Sequence, residues 1–270
     1  MRVGFIGLGS QGAPMARRIV EAGFATTLWA RRSATLEPFA GTGAAFAPTP
    51  AALGQASDLV CLCVGNDADL REVLIGPDGV LAGLAPGSIV AVHSTVHPDT
   101  CRELAKVVAA QDVTLIDAAV SGGAPAVAER RLLVMVGGPV EALDRCRPVF
   151  DTFADPVVHL GDVGAGQVAK LLNNLLFCAN LATAASTLTL GEQLGVDRDE
   201  LGAVIARGSG NSFAFGRIAA GTLARIGDHA GHTLRKDVTL MADLAAGVDA
   251  DTGIALTAAD ATLGAIGHAR

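Results

Sequence analysis

The sequence predicts an α/β fold: a doubly wound sheet over residues 1–162, followed by an all-α C-terminal domain over residues 163–270. Three observations predict it. Strand-like and helix-like segments alternate through the first 160 residues, and strands separated by helices pair in parallel. A glycine-rich turn joins the first strand to the first helix. After Gly161 the strand signal fades, and the remainder of the chain reads as helices.

The first element, Val3–Ile6, is a short apolar strand, and Ala13–Val20 reads as the helix after the glycine turn. Further strands are expected at Ala25–Trp29, Ala44–Ala47, Leu59–Val64, Ser88–Val92, Thr114–Asp117, Leu132–Val136 and Val157–Leu160. Pro77-Asp78-Gly79, Ala85-Pro86-Gly87 and Gly137-Gly138-Pro139 punctuate them as turns. The later strands are expected to extend the sheet in mixed orientation. Helices are expected at 165–193, 197–208, 212–227, 231–248 and 251–268, with Asp197 as a cap. The domain boundary is placed near Gly161–Gly164.

The turn reads Gly7-Leu8-Gly9-Ser10-Gln11-Gly12. In this position each glycine has a role. Gly7 permits a tight turn, Gly9 lets the backbone approach a pyrophosphate, and Gly12 lets helix and strand pack closely. The helix start then presents unpaired N–H groups and a favourable dipole to the phosphates. This is the Rossmann dinucleotide-binding arrangement, so residues 7–12 are the expected cofactor loop. An acidic residue about 20 positions further on commonly holds the ribose 2′-OH of NAD. Here the second strand ends in Ala30-Arg31-Arg32-Ser33, without a carboxylate. Two guanidiniums and a hydroxyl suit a 2′-phosphate, which favours NADP over NAD; the alternative is a solvated basic turn.

Composition narrows the classes. Half of the 270 residues are hydrophobic but only 4% are aromatic. The net charge of −7 argues against a nucleic-acid partner. Cys61, Cys63, Cys101, Cys146 and Cys178 are odd in number and scattered, which fits a reducing cytoplasm. The chain opens directly into a strand, so no leader is expected. With no tyrosine, a Tyr/Lys reductase centre is excluded. Neither a paired-cysteine or H-E-x-x-H zinc pattern nor a G-x-x-x-x-G-K-[ST] loop occurs. His93 and His97 lack the neighbours a metal site needs, so no metal is expected.

Lys170 is the only charged side chain between Val163 and Gly191. Leu171, Leu175, Cys178, Leu181 and Leu188 recur at helical spacing, as on a long, mostly buried helix. The run Leu171–Gly191 is long enough to span a bilayer, but it holds three Asn with several Thr and Ser, so it reads as a helix inside a protein and no membrane partner is expected. Burial disfavours the charged form of a lysine, and an ammonium that loses its proton readily can act as acid and base. Asn174 lies four residues on, on the same face. The bland alternative is a lysine whose stem packs while its head reaches water.

Polar residues also stand at strand ends. Leu59–Val64 runs into Gly65-Asn66-Asp67, and Ser88–Val92 into His93-Ser94-Thr95. Open α/β sheets bind ligands at such C-terminal ends. Ser121-Gly122-Gly123 offers a hydroxyl and backbone N–H groups that suit a carboxylate, or else forms an ordinary turn.

Together these segments resemble the β-hydroxyacid dehydrogenases, the group of 3-hydroxyisobutyrate dehydrogenase, tartronate semialdehyde reductase and the glyoxylate/succinic semialdehyde reductases. Four motifs carry the likeness: GLGSQGAPMA near the N-terminus, DAAVSGGAPA at Asp117–Ala126, GAGQVAKLLNN at Gly164–Asn174, and Lys236-Asp237. The resemblance implies Lys170 as the catalytic acid/base and Asn174 as a substrate ligand. It implies that Ser121, Gly122 and Gly123 bind a carboxylate-bearing substrate. Val64 and Thr95 would line the cofactor, Lys236 would sit near the nicotinamide, and Asp237 would help position that segment. It also implies a homodimer or homotetramer. Gln11 stands where the family has Met, Ala119 where it has Pro, and Glu129-Arg130-Arg131 where it has small residues. The helical domain is somewhat short. The last three departures bear on the substrate.

The expected function is an NADP-dependent oxidoreductase that interconverts a small β-hydroxyacid and its oxo-acid or semialdehyde. Arg207, Arg217 and Arg235 are candidates for selecting a second anionic group of the substrate. The alternatives are an imine reductase of the same architecture, which resembles this chain but usually carries another residue at the Lys170 position, and a non-catalytic NADP-binding module. A 6-phosphogluconate dehydrogenase has related motifs but a far larger helical domain.

Overall fold

The computed structural model describes residues 1–219 and 223–270. The chain divides into two compact units, Met1–Lys170 and Leu171–Arg270.

The first unit is built on strands β1 (Val3–Ile6), β2 (Thr26–Trp29), β3 (Ala45–Phe46), β4 (Leu59–Leu62), β5 (Ile89–Val92), β6 (Thr114–Ser121), β7 (Leu132–Gly137) and β8 (Ala154–His159). Among the described residues they form one eight-stranded sheet in the order β3-β2-β1-β4-β5-β6-β7-β8. Pairing is parallel from β3 through β6, β7 runs antiparallel to β6, and β8 is parallel to β7. The chain reverses direction across the sheet at β1, so β1 and β4 are neighbours at the switch point where α/β sheets take ligands.

Alternation along each strand produces two cores. Val3, Phe5, Leu59, Cys61, Ile89 and Ala91 point to one face, where α1 (Gly12–Glu21) and α6 (Val140–Phe150) cover them. Ile6, Val60, Leu62, Val90 and Val92 point to the other, against α2 (Pro50–Gln55), α3 (Asp67–Ile75) and α4 (Pro98–Ala109). Gly4 gives α2 room: a Cβ there would lie 2.4 Å from Leu53 Cδ2.

Two expectations need correction. The sixth strand does not end at Asp117. Ala118, Ala119, Val120 and Ser121 continue it, paired with Val136, Met135, Val134 and Leu133 of the antiparallel β7. The strand signal stops at Asp117, but pairing with β7 holds these residues extended. The short helix α5 (Gly123–Ala128) comes next.

The other correction lies in the second unit, which contains most of α7 (Ala165–Gln193), with α8 (Arg198–Arg207), α9 (Phe213–Ala219), α10 (Leu223–Gly247) and α11 (Gly253–Ala265). The sequence predicts a break at 228–230, but α10 runs through it. Gly227 and Gly231 do not interrupt the helix. They lie against the chain's last turn, where a Cβ would come within 3.0 Å of Ile266 and 2.3 Å of the His268 ring. The expected helix over 212–227 also crosses residues 220–222, which lie outside the described residues. Leu171, Leu175, Cys178, Leu181 and Leu188 of α7 form the core with Leu234, Val238 and Met241 of α10 and Leu263 of α11.

The unit boundary falls inside α7, at Lys170, because the start of that helix is bound to the sheet. Asp117 in β6 is fully buried. Its carboxylate accepts the Gly164 N–H at 2.6 Å and the Gln167 N–H at 2.8 Å. Gln167 in turn donates its amide to the Ser94 carbonyl at 2.8 Å and accepts the Val96 N–H at 3.1 Å. The carboxylate thus satisfies donors that a helix start leaves open, and it faces the positive end of the helix dipole. Burial still pushes the Asp117 carboxyl above its ordinary range, against the opposing pull of the Gly164 and Gln167 N–H groups. Gly166 permits this close fit, since a Cβ there would meet the Met135 carbonyl oxygen at 2.3 Å.

Asp117→Asn tests this anchor. The substitution turns one oxygen into a donor that faces N–H groups, so it should cost about 1–3 kcal/mol of stability. Urea unfolding followed by far-UV circular dichroism measures the loss; a variant as stable as wild type would remove Asp117 as the anchor of α7.

Candidate active site

The parallel strands β2, β1, β4 and β5 are adjacent, so the segments that leave their ends share one edge of the sheet. The glycine loop leaves β1. Gly7 has φ +97°, and a Cβ on it would lie 2.1 Å from the Cys63 carbonyl oxygen, so only glycine fits the turn. A Cβ on Gly12 would lie 2.0 Å from the Gly7 oxygen, which fixes how closely α1 approaches β1. Around Gly9 there is no heavy atom within 4 Å of such a position, which leaves open space above the loop. Leu8 is buried and Ser10 exposed. Gln11 precedes α1 without capping it; its amide instead reaches Met15 Sδ at 3.6 Å. No acidic side chain stands in the first turn of α1. A helix start without a carboxylate, behind a loop open at Gly9, fits a pyrophosphate.

Arg31, Arg32 and Ser33 are all exposed beyond β2. Arg31 reaches Asp69 in the first turn of α3, with Nη2 3.2 Å from Oδ1. Beyond β4, the half-buried Val64 donates its N–H to Ser94 Oγ at 2.7 Å, and Thr95, also half-buried, comes after Ser94 beyond β5. The two histidines near this edge are structural. His93 is buried among Phe5, Phe150 and Phe153, with Nδ1 2.7 Å from the Ala118 oxygen. Burial pushes its pKa down to about 4, so the ring is neutral near pH 7. His97 caps α4 by accepting the Asp99 N–H at 3.2 Å.

Parallel pairing aligns Val92 with Asp117, so β6 continues four residues past the end of β5 before it reaches Ser121. Gly122 and Gly123 then take φ +129° and +70°, values that favour glycine, beside the half-buried Ser121. The cofactor loop, Arg31–Ser33, Val64, Thr95 and Ser121–Gly123 thus all lie at or just past the carboxyl ends of strands in the first unit.

Lys170 closes that unit on α7 and is half-buried. Asn174, one helical turn on, is buried in the second unit, and its amide donates to Asp237 Oδ2 at 2.6 Å. Asn173 donates to Asn174 Oδ1 at 3.0 Å. Asp237 on α10 is 1% exposed, with Lys236 Nζ 3.1 Å from its other oxygen. An amide and an ammonium together compensate this buried carboxylate. The orientation of Asn174 is therefore set by the Lys236-Asp237 segment. Arg207, Arg217 and Arg235 are exposed on α8, α9 and α10.

Sequence reasoning missed Asp117, Gln167 and Asp69. Asp117 had a signal, a lone carboxylate inside the apolar run Thr114–Val120. Asp69 had none, because its partner Arg31 lies 38 positions away and joins it only through the strand order.

Known proteins resemble this chain in sequence and fold. The family model described as the NAD binding domain of 6-phosphogluconate dehydrogenase matches residues 2–161. The model described as NAD-binding of NADP-dependent 3-hydroxyisobutyrate dehydrogenase matches residues 164–268. An uncharacterized oxidoreductase of Mycobacterium tuberculosis is 38% identical over 204 residues, 76% of this chain and 69% of that protein. The 3-hydroxyisobutyrate dehydrogenase of Pseudomonas aeruginosa is 34% identical over 212 residues, covering 78% of this chain and 71% of its own. The solved structure of Mycobacterium tuberculosis 3-hydroxyisobutyrate dehydrogenase with L-serine superposes with a TM-score of 0.87 at 28% identity, over 100% of this chain and 96% of that one. The chain belongs to the β-hydroxyacid dehydrogenase family of oxidoreductases.

Proposed function

We propose that this protein is an NADP(H)-preferring oxidoreductase that interconverts a small β-hydroxyacid and its oxo-acid or semialdehyde, with Lys170 as general acid and base. The observation that carries the reading is the Lys170/Asn174 pair, one turn apart on α7, with Asn174 held by Asp237. The dinucleotide supplies or accepts the hydride. Residues 7–12 would hold its pyrophosphate, Val64 and Thr95 would line it, Arg31, Arg32 and Ser33 would take its 2′-phosphate, and Lys236 would serve the nicotinamide end. Ser121 and the Gly122–Gly123 backbone hold the substrate carboxylate. Asn174 orients the hydroxyl or carbonyl oxygen. Lys170 Nζ gives that oxygen a proton in reduction and removes it in oxidation. A turnover screen of hydroxy acids and semialdehydes with both cofactors, with a cyclic imine included, tests the reaction class. Turnover of the imine alone would overturn the carbonyl reading.

Lys170→Met isolates the proton step. It should slow single-turnover hydride transfer by about 10²–10⁴ while leaving NADPH affinity nearly unchanged. Equal rates in variant and wild type would take Lys170 out of the chemistry.

Cofactor choice has its own test. Arg31→Asp should erode the preference for NADP(H) by at least about tenfold, or 1.4 kcal/mol. Wild-type kinetics that favour NAD(H), or treat the two alike, would contradict the preference.

We also propose a homodimer or homotetramer formed through the helical unit. Leu172, Leu176 and Leu190 on α7, and Val204, Phe213 and Ile254 beyond it, are exposed. Apolar surface of this extent commonly marks an interface. Light scattering at micromolar concentration should give at least twice the chain mass, and a monomer would sink the proposal.

A further inference from the structure

Arg31 already faces an anion. Asp69 Oδ1 lies 3.2 Å from its guanidinium, and Asp69 is held in place independently of Arg31. Its Oδ2 accepts the Asn66 side-chain amide at 3.0 Å, and its backbone N–H donates to Asn66 Oδ1 at 2.9 Å, the contact that caps α3. The Asp69 side chain is 19% exposed and the Arg31 side chain 65% exposed, so Asp69 is the more enclosed partner. The other acid of that turn, Asp67, is engaged elsewhere and accepts the His97 N–H at 2.9 Å.

A glycine-loop fold selective for NAD commonly carries its ribose-binding acid at the end of the second strand. This chain has arginines there, yet the strand order brings a carboxylate to the same place from α3. We propose that Asp69 is a specificity-determining residue that limits the preference for NADP(H). It offsets part of the Arg31 charge and repels a 2′-phosphate. A cofactor with a free 2′-hydroxyl brings no such charge and is spared this penalty. NAD(H) therefore remains a usable second cofactor. This inference rests on the reading of Arg31 as a 2′-phosphate ligand. Because the Arg31 side chain is largely in water, the effect is modest and screened by salt.

The test is calorimetric binding of 2′,5′-ADP and 5′-AMP to the full chain. The two probes differ only in the 2′-phosphate and require no turnover. Asp69→Asn keeps the size of the side chain and removes its charge. It should tighten 2′,5′-ADP about threefold at low salt, the scale of one exposed ion pair, with a smaller gain at high salt. Binding of 5′-AMP should change by less than about twofold. The gain should shrink in the Asp69→Asn/Arg31→Ala double variant, where only the direct repulsion of the phosphate is relieved. If Asp69→Asn leaves 2′,5′-ADP unchanged or weaker, or alters both probes alike, while Arg31→Ala weakens 2′,5′-ADP, the role of Asp69 is overturned and the 2′-phosphate reading stands. If Arg31→Ala does not weaken 2′,5′-ADP, the 2′-phosphate reading fails and the role of Asp69 fails with it.

Discussion

The buried carboxylate of Asp117 is the constraint on which the rest depends. It lies in the middle of an apolar sheet and is held by the backbone at the start of α7. A carboxylate in that position is tolerated only where several donors converge on it. Those donors are available only if the chain leaves β8, turns at Gly161–Gly164 and enters the helix beside β6. Gln167 repeats the logic with a neutral side chain, tying the same helical turn to the backbone after β5. Lys170 lies three residues beyond Gln167, so its placement relative to the sheet edge derives from these contacts.

A comparable division of labour governs the nucleotide edge. Backbone geometry does most of the shaping: Gly7 and Gly12 are fixed by close approaches of main-chain atoms, while Gly9 stands in open space. Charge is added late, by side chains at the rim. Arg31 and Asp69 are both rim residues, brought together because β2 and β4 flank β1. The shaping groups tolerate little change. The rim groups stand outside the strands, on the segments that leave β2 and β4.

Much of this is legible in the sequence, for local reasons. The glycine spacing, the apolar strands and the helical period of α7 are short-range patterns, and each reappears at nearly the expected residues. Differences arise where a neighbour decides the outcome. Ala118–Ser121 is extended because β7 pairs with it, and residues 228–230 are helical although glycines flank them. Ser121-Gly122-Gly123 and Lys170/Asn174 stand out in the sequence because they are polar or small in apolar surroundings. The bond from Asn174 to Asp237, 63 positions away, has no local trace, and neither does the pairing of Arg31 with Asp69.

The continuity of α7 has a further consequence. The boundary between the two units falls within a helix and not in a loop. Lys170 belongs to one side of that boundary and Asn174 to the other, yet their separation is set by helical rise, roughly 6 Å along the axis. Changing it would require breaking main-chain hydrogen bonds in the middle of a 29-residue helix. The helix thus acts as a ruler, and the spacing between these two side chains is a property of the backbone rather than of either unit's packing.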